Sequence, residues 1–172
     1  MFFNKSARKE VEDGIKPIFP RLWRYCLVLT GNKDWADDLA QAVCLKALEK
    51  ADQYKPGTKL DRWLFTIAHN SWINELRKNA VRTSGGIANV DEIDIPDTKP
   101  DPESNILASE VLKEVMALPE AQRVAVILVY IEGYSYQEAA DALEIPIGTI
   151  MSRLSAARTK LANKLNDESQ IA

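Results

Sequence analysis

Basic side chains near the end of the chain occur in a pattern suited to binding phosphate. Residues 146–165 include four basic residues and no acidic one, although the whole chain has a net charge of −3. At helical spacing, an apolar stripe lies opposite a ridge of small residues. Met151 lies on one flank of the stripe, so we predict that it is half exposed. Such a helix fits a DNA groove walled by phosphates, although a protein-binding helix can have a similar pattern. The stripe consists of Ile147, Ile150, Leu154, Ala157 and Leu161.

A second group of chemically useful side chains lies in residues 60–79, which we predict to be a helix. It has two apolar stripes, one with Leu60, Trp63, Leu64 and Ile67, and another with Phe65, Trp72 and Leu76. The second stripe is either covered by another helix or offers aromatic faces on which unpaired bases stack. Cations lie beside the aromatic residues. His69 is the only histidine, so neither a metal site nor a catalytic triad finds support, and we predict no cofactor.

The elements before this helix are also predicted to be helical. Pro17 and Pro20 should confine the first helix to the residues after them, and Gly31 should end it. Asp34 is the predicted cap of a second helix, whose buried residues are Leu39, Val43, Ala47 and, less clearly, Leu48. This helix places two further carboxylates, Asp37 and Asp38, in its first turn, where the helix dipole stabilises negative charge.

The last third of the chain has helix-capping and helix-ending residues at the spacing of a helix-turn-helix. One helix is predicted over residues 106–118, and a strongly apolar one follows Pro119 and ends at Gly133. Ser135 and Glu138 have the spacing of a capping box, which predicts a short helix from that point. A turn at residues 144–145 leads to the final helix, with Pro146 near its first turn.

Charge and composition divide the chain into three parts. Residues 1–82 contain 15 basic and 10 acidic residues, residues 83–105 contain one and six, and residues 106–172 contain six and nine. The middle part has prolines, paired glycines and no helical periodicity, which is typical of a flexible linker. Its acidity either keeps it extended in water or mimics nucleic acid. We therefore predict an all-α protein with two small helical domains, 1–82 and 106–172, joined by the acidic linker 83–105.

Composition excludes several classes of protein. No apolar run is long enough for a membrane span, and the first residues are too polar for a secretory leader, so we expect a cytoplasmic protein without membrane insertion. Cys26 and Cys44 are far apart in sequence, which favours two free thiols over a disulfide or a zinc site. No glycine-rich phosphate loop or nucleophile elbow is present, so we predict no catalytic residues and no enzyme activity.

Two blocks of sequence resemble a known family. "WADDLAQAVCLKALEKADQYKPGTKLDRWLFTIAHNSWINELRKN" resembles region two of bacterial sigma-70 family transcription initiation factors, and "LPEAQRVAVILVYIEGYSYQEAADALEIPIGTIMSRLSAARTKL" resembles their region four. Their order and the short linker are similar to the extracytoplasmic-function group. The resemblance implies promoter DNA and core RNA polymerase as partners, and an anti-sigma factor as inhibitor. Many family members have a basic residue at the position of Met151, and often a glutamate at that of Ala42.

The resemblance also implies three binding surfaces. The acidic second helix would bind core polymerase, the loop 53–59 and the third helix would hold the melted minus-ten element, and the last helix would enter the minus-thirty-five major groove. The implied polymerase-binding residues are Asp37, Asp38, Leu39 and Gln41. Those for the minus-ten element are Lys59, Arg62, Phe65, His69, Asn70, Trp72, Arg77 and Lys78. Those for the minus-thirty-five element are Thr149, Met151, Ser152, Arg153, Ser155, Arg158 and Lys160.

Two other classes of protein compete with this interpretation. A stand-alone helix-turn-helix regulator with an N-terminal sensor domain explains residues 106–172 equally well, but it leaves the acidic second helix and the aromatic third helix without a purpose. A nucleic-acid-processing enzyme fits worse, because no acidic cluster is paired with a credible metal ligand. The sequence therefore favours a promoter-recognition subunit of RNA polymerase.

Overall fold

A computed structural model describes the backbone of residues 2–82 and 105–171 and the side chains of residues 6–79 and 111–164. Every regular element in these ranges is helical, which confirms the predicted all-α class. The chain divides into two compact units, Met1–Asp94 and Ile95–Ala172. The predicted linker falls outside the described residues, apart from the backbone of residue 105. Within the described ranges, no helix combines the length and the apolar character needed to cross a bilayer.

The part of the first unit that the structure describes contains three long helices. They are α1 (Phe2–Thr30), α2 (Lys33–Glu49) and α3 (Leu60–Arg82), with a short 3₁₀ turn at Ala51–Gln53. All three helices pack against one another. Their shared core is apolar and fully excluded from solvent, so burial of this surface is the main source of stability of the unit. The largest buried side chains in it are Val11, Leu22, Tyr25, Cys26, Leu29, Val43, Leu64 and Phe65.

Helix α1 is longer than the sequence predicts, because it continues through Pro17 and Pro20. A proline inside a helix removes one hydrogen-bond donor and costs about 3 kcal/mol. Both prolines are exposed and lie three residues apart on one side of the helix, where water can solvate the carbonyl groups left without a donor. Buried residues on either side, including Val11 and Leu22, hold the two halves of α1 against the core. The prediction that helix starts only after these prolines was therefore wrong.

Helix α2 begins earlier than predicted. Its N-cap is Asn32, whose side chain accepts a hydrogen bond from the backbone N–H of Trp35, while Asp34 lies inside the first turn. Gly31 ends α1 with a φ of 67°, so the chain reverses immediately before this cap. Four buried residues face the core: Ala36, Ala40, Val43 and Ala47. Leu39 and Leu48, which were predicted to be buried, are only half buried.

In its described residues, the second unit contains four α-helices, α4 (Asn105–Met116), α5 (Glu120–Val126), α6 (Tyr136–Leu143) and α7 (Ile147–Ile171). Helix α5 continues into a single π-helical turn, Ile127–Ile131, in which the Glu132 N–H donates to the Ile127 carbonyl over 2.9 Å. Gly133 ends this segment with a φ of 70°, as predicted. The wider turn was not predicted from sequence. It leaves Tyr130 and Ile131 exposed at the end of an otherwise buried helix.

Helices α6 and α7 form the expected helix-turn-helix. The capping box is confirmed, because Ser135 accepts from the Glu138 N–H and the Glu138 side chain accepts from the Ser135 N–H. Glu144 ends α6 in the left-handed conformation, with a φ of 54°. From α7, Ile150, Leu154 and Ala157 enter the core, and Leu161 is half buried. Ile147 was predicted to join them, but it is exposed in the first turn, before α7 reaches the core.

Arg123 is a buried charge that stabilises the junction between α4 and α5. Its guanidinium donates to the carbonyl groups of Met116 and Leu118, over 3.0 and 3.3 Å, and so caps the end of α4. Only 5% of the residue is exposed, and burial lowers the pKa of the guanidinium from its ordinary value. These hydrogen bonds offset part of the cost of burying the charge. The sequence gives no signal for this role.

Replacing this residue should destabilise the second unit. We expect Arg123→Met to lower the free energy of unfolding by about 1–3 kcal/mol, because two carbonyl groups lose a charged donor. Urea denaturation of the full chain, followed by far-UV circular dichroism, measures the change. Lys113→Met is the matched control, since Lys113 is exposed on α4. Equal midpoints for the two variants would show that the capping bonds contribute nothing.

Candidate nucleic-acid interface

Helix α7 presents the predicted reading surface to solvent. Met151 is 53% exposed, in agreement with its predicted place on a flank. Ser152, Ser155, Arg158 and Lys160 are also exposed, whereas Thr149 and Arg153 are half buried. The Ser152 hydroxyl donates to the Gly148 carbonyl over 3.0 Å, which leaves its lone pairs free to accept hydrogen bonds. The outer face of α7 therefore combines small residues, one apolar side chain and cations at its edges.

The π-helical turn adds a residue to this surface. The Arg158 guanidinium donates to the Tyr130 hydroxyl over 3.4 Å, although the two residues are 28 apart in sequence. Tyr130 is 51% exposed, so its hydroxyl lies at the surface beside Arg158. The sequence pattern does not indicate Tyr130, because its neighbours are apolar and the segment has the pattern of a buried helix. An exposed phenol beside a basic helix can donate to phosphate oxygens.

Helix α3 places its polar residues in two groups. Arg62, His69 and Asn70 are half buried, and Arg77 and Lys78 are exposed near the end of the helix. Lys59 is exposed immediately before α3 begins. The cations thus lie at both ends of the helix, a spacing that suits contact with an extended single strand at more than one phosphate.

Two aromatic residues of α3, Phe65 and Trp72, form part of the core and not a stacking surface. Phe65 is 1% exposed and stacks on Tyr25 of α1, with ring centroids 4.7 Å apart and planes 19° apart. Trp72 is 6% exposed and contacts Trp35 of α2, at a centroid distance of 6.0 Å. Of the two possibilities for the second stripe, the structure has the covered one for Phe65 and Trp72, whereas Leu76 is exposed. The prediction that Phe65 and Trp72 stack directly on bases was therefore wrong, because residues of other helices pack against their rings.

Other aromatic residues are more accessible than these two. Trp35, in the first turn of α2, is 55% exposed. Trp63 is half buried on α3 and packs against Tyr54, with ring centroids 5.3 Å apart. The sequence placed Trp63 in the core stripe and did not single out Trp35. Exposed aromatic groups near cations are the usual platforms for bases, so these two tryptophans are the better candidates for stacking.

The acidic helix α2 offers fewer free carboxylates than its sequence suggests. The Trp23 indole N–H donates to Asp37 over 2.5 Å, which fixes Asp37 to α1. Asp38 and Gln41 are exposed, and Leu39 is half buried. Leu45, one turn beyond Gln41, is 63% exposed and extends the same face. The exposed side chains on this face therefore include Asp38, Gln41 and Leu45, whereas Asp37 and Leu39 are half buried.

The cysteines offer no reactive centre. Cys26 is buried in the core and Cys44 is half buried. Burial, with a smaller contribution from Cys44, raises the pKa of the Cys26 thiol to about 12, so the nucleophilic thiolate is scarce near neutral pH. Among the residues that the structure describes, no three His, Cys, Asp or Glu side chains are grouped closely enough to hold a metal ion.

The two units and their surfaces define a helical DNA-binding protein with a helix-turn-helix, and comparison with known proteins identifies its family. Residues 15–82 match the model of Sigma-70 region 2, and residues 108–161 match that of Sigma-70, region 4. The chain belongs to the sigma-70 family, in the group of extracytoplasmic-function (ECF) RNA polymerase sigma factors. Sigma factors are DNA-binding transcription initiation factors, and the predicted resemblance is confirmed.

Individual relatives extend over most of the chain. It is 36% identical over 152 residues to the ECF RNA polymerase sigma factor EcfG of Rhodopseudomonas palustris, covering 88% of this chain and 83% of the relative. It is 27% identical to SigW of Bacillus subtilis, covering 95% of each protein. Among solved structures, it is similar to the sigma factor RpoE of Bartonella quintana in complex with the anti-sigma factor NepR. That match has a TM-score of 0.73 and 30% identity, and covers 92% of this chain and 98% of the other.

Proposed function

We propose that this chain is the promoter-recognition subunit of an RNA polymerase holoenzyme, that it has no catalytic activity of its own, and that it acts in the cytoplasm. The observation that carries the proposal is the presence of both sigma regions in order, each with a separate exposed surface. In this proposal, residues 1–82 bind core polymerase and the minus-ten element, and residues 106–172 bind the minus-thirty-five element. The linker 83–105 connects the two.

The exposure and charge of the side chains suggest which helix binds which partner. Asp38, Gln41 and Leu45 on α2 meet the polymerase, while the cations of α3 and the loop before it hold the melted minus-ten strand. On α7, Arg153, Arg158 and Lys160 bind phosphates, and Met151 contacts base edges such as thymine methyl groups. Capturing an unpaired base costs a few kcal/mol in unstacking. Stacking on an accessible aromatic ring, at about 1–3 kcal/mol per base, can offset that cost.

Run-off transcription with purified core polymerase on a promoter library tests this function. The expected result is selection of promoters that share two short elements, with no selection by core polymerase alone. A stand-alone regulator would instead bind duplex DNA without polymerase and would not be retained on immobilised core enzyme. If the chain neither bound core polymerase nor selected a promoter, the proposal would fail.

We also propose that an anti-sigma factor controls this protein. The proposal is supported by the similarity to RpoE of Bartonella quintana, which was crystallised with NepR. An inhibitor that covers the exposed face of α2 or α7 would compete directly with polymerase or promoter. The test is displacement: a cognate anti-sigma factor should release the chain from immobilised core enzyme, at a concentration that rises with the amount of core enzyme present.

The proposed roles on α7 predict two different kinds of change. Arg158→Ala should weaken binding of the holoenzyme to all promoters. Because one phosphate contact is lost, the slope of log affinity against log salt concentration should become shallower by about one. Met151→Arg should instead change which minus-thirty-five sequence is preferred, since arginine favours guanine. Library selection at several salt concentrations measures both effects, with Asn163→Ala as an exposed control on the same helix. An unchanged preference in Met151→Arg would show that this flank does not meet a base.

A further inference from the structure

The loop before α3, residues 54–59, has a defined shape although most of it is exposed. Tyr54 is 3% exposed, whereas residues 55–59 are all exposed. Gly57 has a φ of 78°, a conformation that side chains strongly disfavour. The Thr58 backbone N–H and its hydroxyl both donate to the Lys55 carbonyl, over 3.2 and 2.8 Å, and close a tight turn. The exposed residues therefore project from a turn with a fixed backbone.

A single carboxylate from α1 anchors this turn. The Gly57 N–H points at both oxygens of Glu10, each 3.2 Å away, and the Tyr54 hydroxyl lies 2.8 Å from Oε1. These contacts span 47 and 44 residues of sequence. A carboxylate that accepts several hydrogen bonds holds its donors more rigidly than a neutral acceptor does. Glu10 thus fixes the backbone of the turn at its glycine and its side chain at Tyr54.

Tyr54 connects Glu10 to both the turn and α3. Its hydroxyl also lies 2.7 Å from the Thr58 carbonyl, so one proton serves two acceptors, Glu10 and Thr58. Burial and the hydrogen bond with Glu10 raise the pKa of Tyr54, which keeps the phenol protonated near neutral pH. The ring packs against Trp63 of α3. One connected path therefore joins α1, the turn and the beginning of the helix.

Glu10 differs from the other acidic residues of α1. The neighbouring Glu12 is exposed and pairs with Arg8 over 2.9 Å, an ion pair one turn apart that involves no other element. Glu10, by contrast, is half buried, and its hydrogen-bond donors come from the loop. It also precedes residues 15–82, the part that matches the family model. Glu10 thus lies outside the matched region, whereas its partners Tyr54 and Gly57 lie inside it.

We propose that Glu10 is a positioning residue for promoter selection, which holds the turn at residues 54–59 in the shape that discriminates bases of the minus-ten element. This inference rests on the proposed function, in which that loop meets the melted strand. Glu10 itself does not touch DNA. It acts through Gly57 and Tyr54, whose neighbours Lys55, Thr58 and Lys59 are exposed. Without the anchor the turn would sample other shapes, and the discrimination of bases would fall.

The test compares Glu10→Ala with Glu10→Gln in holoenzyme made from the full chain. The readout is the ratio of transcripts from the selected promoter to those from versions with single changes in the minus-ten element. We expect Glu10→Ala to reduce this ratio by about fivefold or more, within the range that one base contact contributes. Discrimination at the minus-thirty-five element and affinity for core polymerase should stay as in the parent protein. Glu10→Gln keeps one acceptor and should restore part of the ratio.

Two further variants, Glu12→Ala and Tyr54→Phe, complete the test. Glu12→Ala removes an exposed carboxylate two residues away and should leave the ratio unchanged. If Glu10→Ala does not fold, Tyr54→Phe removes only a hydroxyl and should lower the same ratio by a smaller factor. Minus-ten ratios equal to that of the parent in every folded variant would overturn the role of Glu10. If the parent protein selected no promoter at all, the proposed function itself would have failed, which is a different result.

Discussion

Reversing the charge of Asp38 (Asp38→Arg) is expected to weaken binding to core RNA polymerase by about 10- to 100-fold. Asp38 is exposed on α2, on the same face of the helix as Gln41 and Leu45. A partner that fits this acidic face presents positive charge, so an arginine would be placed against like charge. The equilibrium constant for holoenzyme assembly, measured by fluorescence anisotropy with a labelled chain, checks the result. The effect should shrink as salt is raised, because the contact is exposed.

Two controls separate this effect from general damage. Asp37→Asn keeps an oxygen that can accept from Trp23, so it should change polymerase affinity far less than Asp38→Arg. Asp13→Arg makes the same change in net charge at an exposed position on α1 and should have little effect. If all three variants bound equally well, the acidic face of α2 would not be the polymerase contact.

Truncating Phe65 is expected to lower the free energy of unfolding of the first unit by about 3–5 kcal/mol. The ring is 1% exposed, stacks on Tyr25 and lies 5.8 Å from the Arg21 guanidinium carbon. Phe65→Ala therefore leaves a cavity between α1 and α3 that the long helices cannot easily close. Urea denaturation measures the loss. Leu76→Ala on the same helix is the control, because Leu76 is 37% exposed and its truncation should cost much less.

A second substitution at this position tests the burial of the ring against base stacking. Phe65→Leu keeps most of the buried volume, so the folded protein should still melt the minus-ten element in holoenzyme. Permanganate reactivity of unpaired thymines on promoter DNA reports that melting. Loss of melting in a stably folded Phe65→Leu protein would mean that bases do reach this ring, contrary to the structure.

The features that the sequence predicted well are local ones. The capping box needs only Ser135 and Glu138, three residues apart, and the flank position of Met151 follows from helical geometry alone. The predicted start of α2 was two residues late because Asn32 and Asp34 are both good caps, and the structure has Asn32 in that role directly after Gly31. Local chemistry therefore predicted most of the helices and the helix-turn-helix, but it missed the part of α1 up to Pro20 and the π-helical turn.

Features that depend on other helices could not be predicted in this way. Pro17 and Pro20 are tolerated because distant residues hold α1 in place, which compensates for the local cost. The second stripe of α3 was ambiguous until Tyr25 and Trp35 were seen to cover Phe65 and Trp72. Glu10 lies in a charged stretch typical of a solvated helix surface, and its partners are more than 40 residues away. These roles arise from tertiary contacts.

The tryptophan fluorescence of the protein comes from one unit only. All four, Trp23, Trp35, Trp63 and Trp72, belong to the first unit, and the second has only tyrosines as fluorophores. Emission excited near 295 nm, where tyrosine absorbs little, therefore reports on the first unit alone. Circular dichroism reports on helices in both units. The native chain thus carries its own probe, with which the stability of one unit can be followed in the presence of the other without any label.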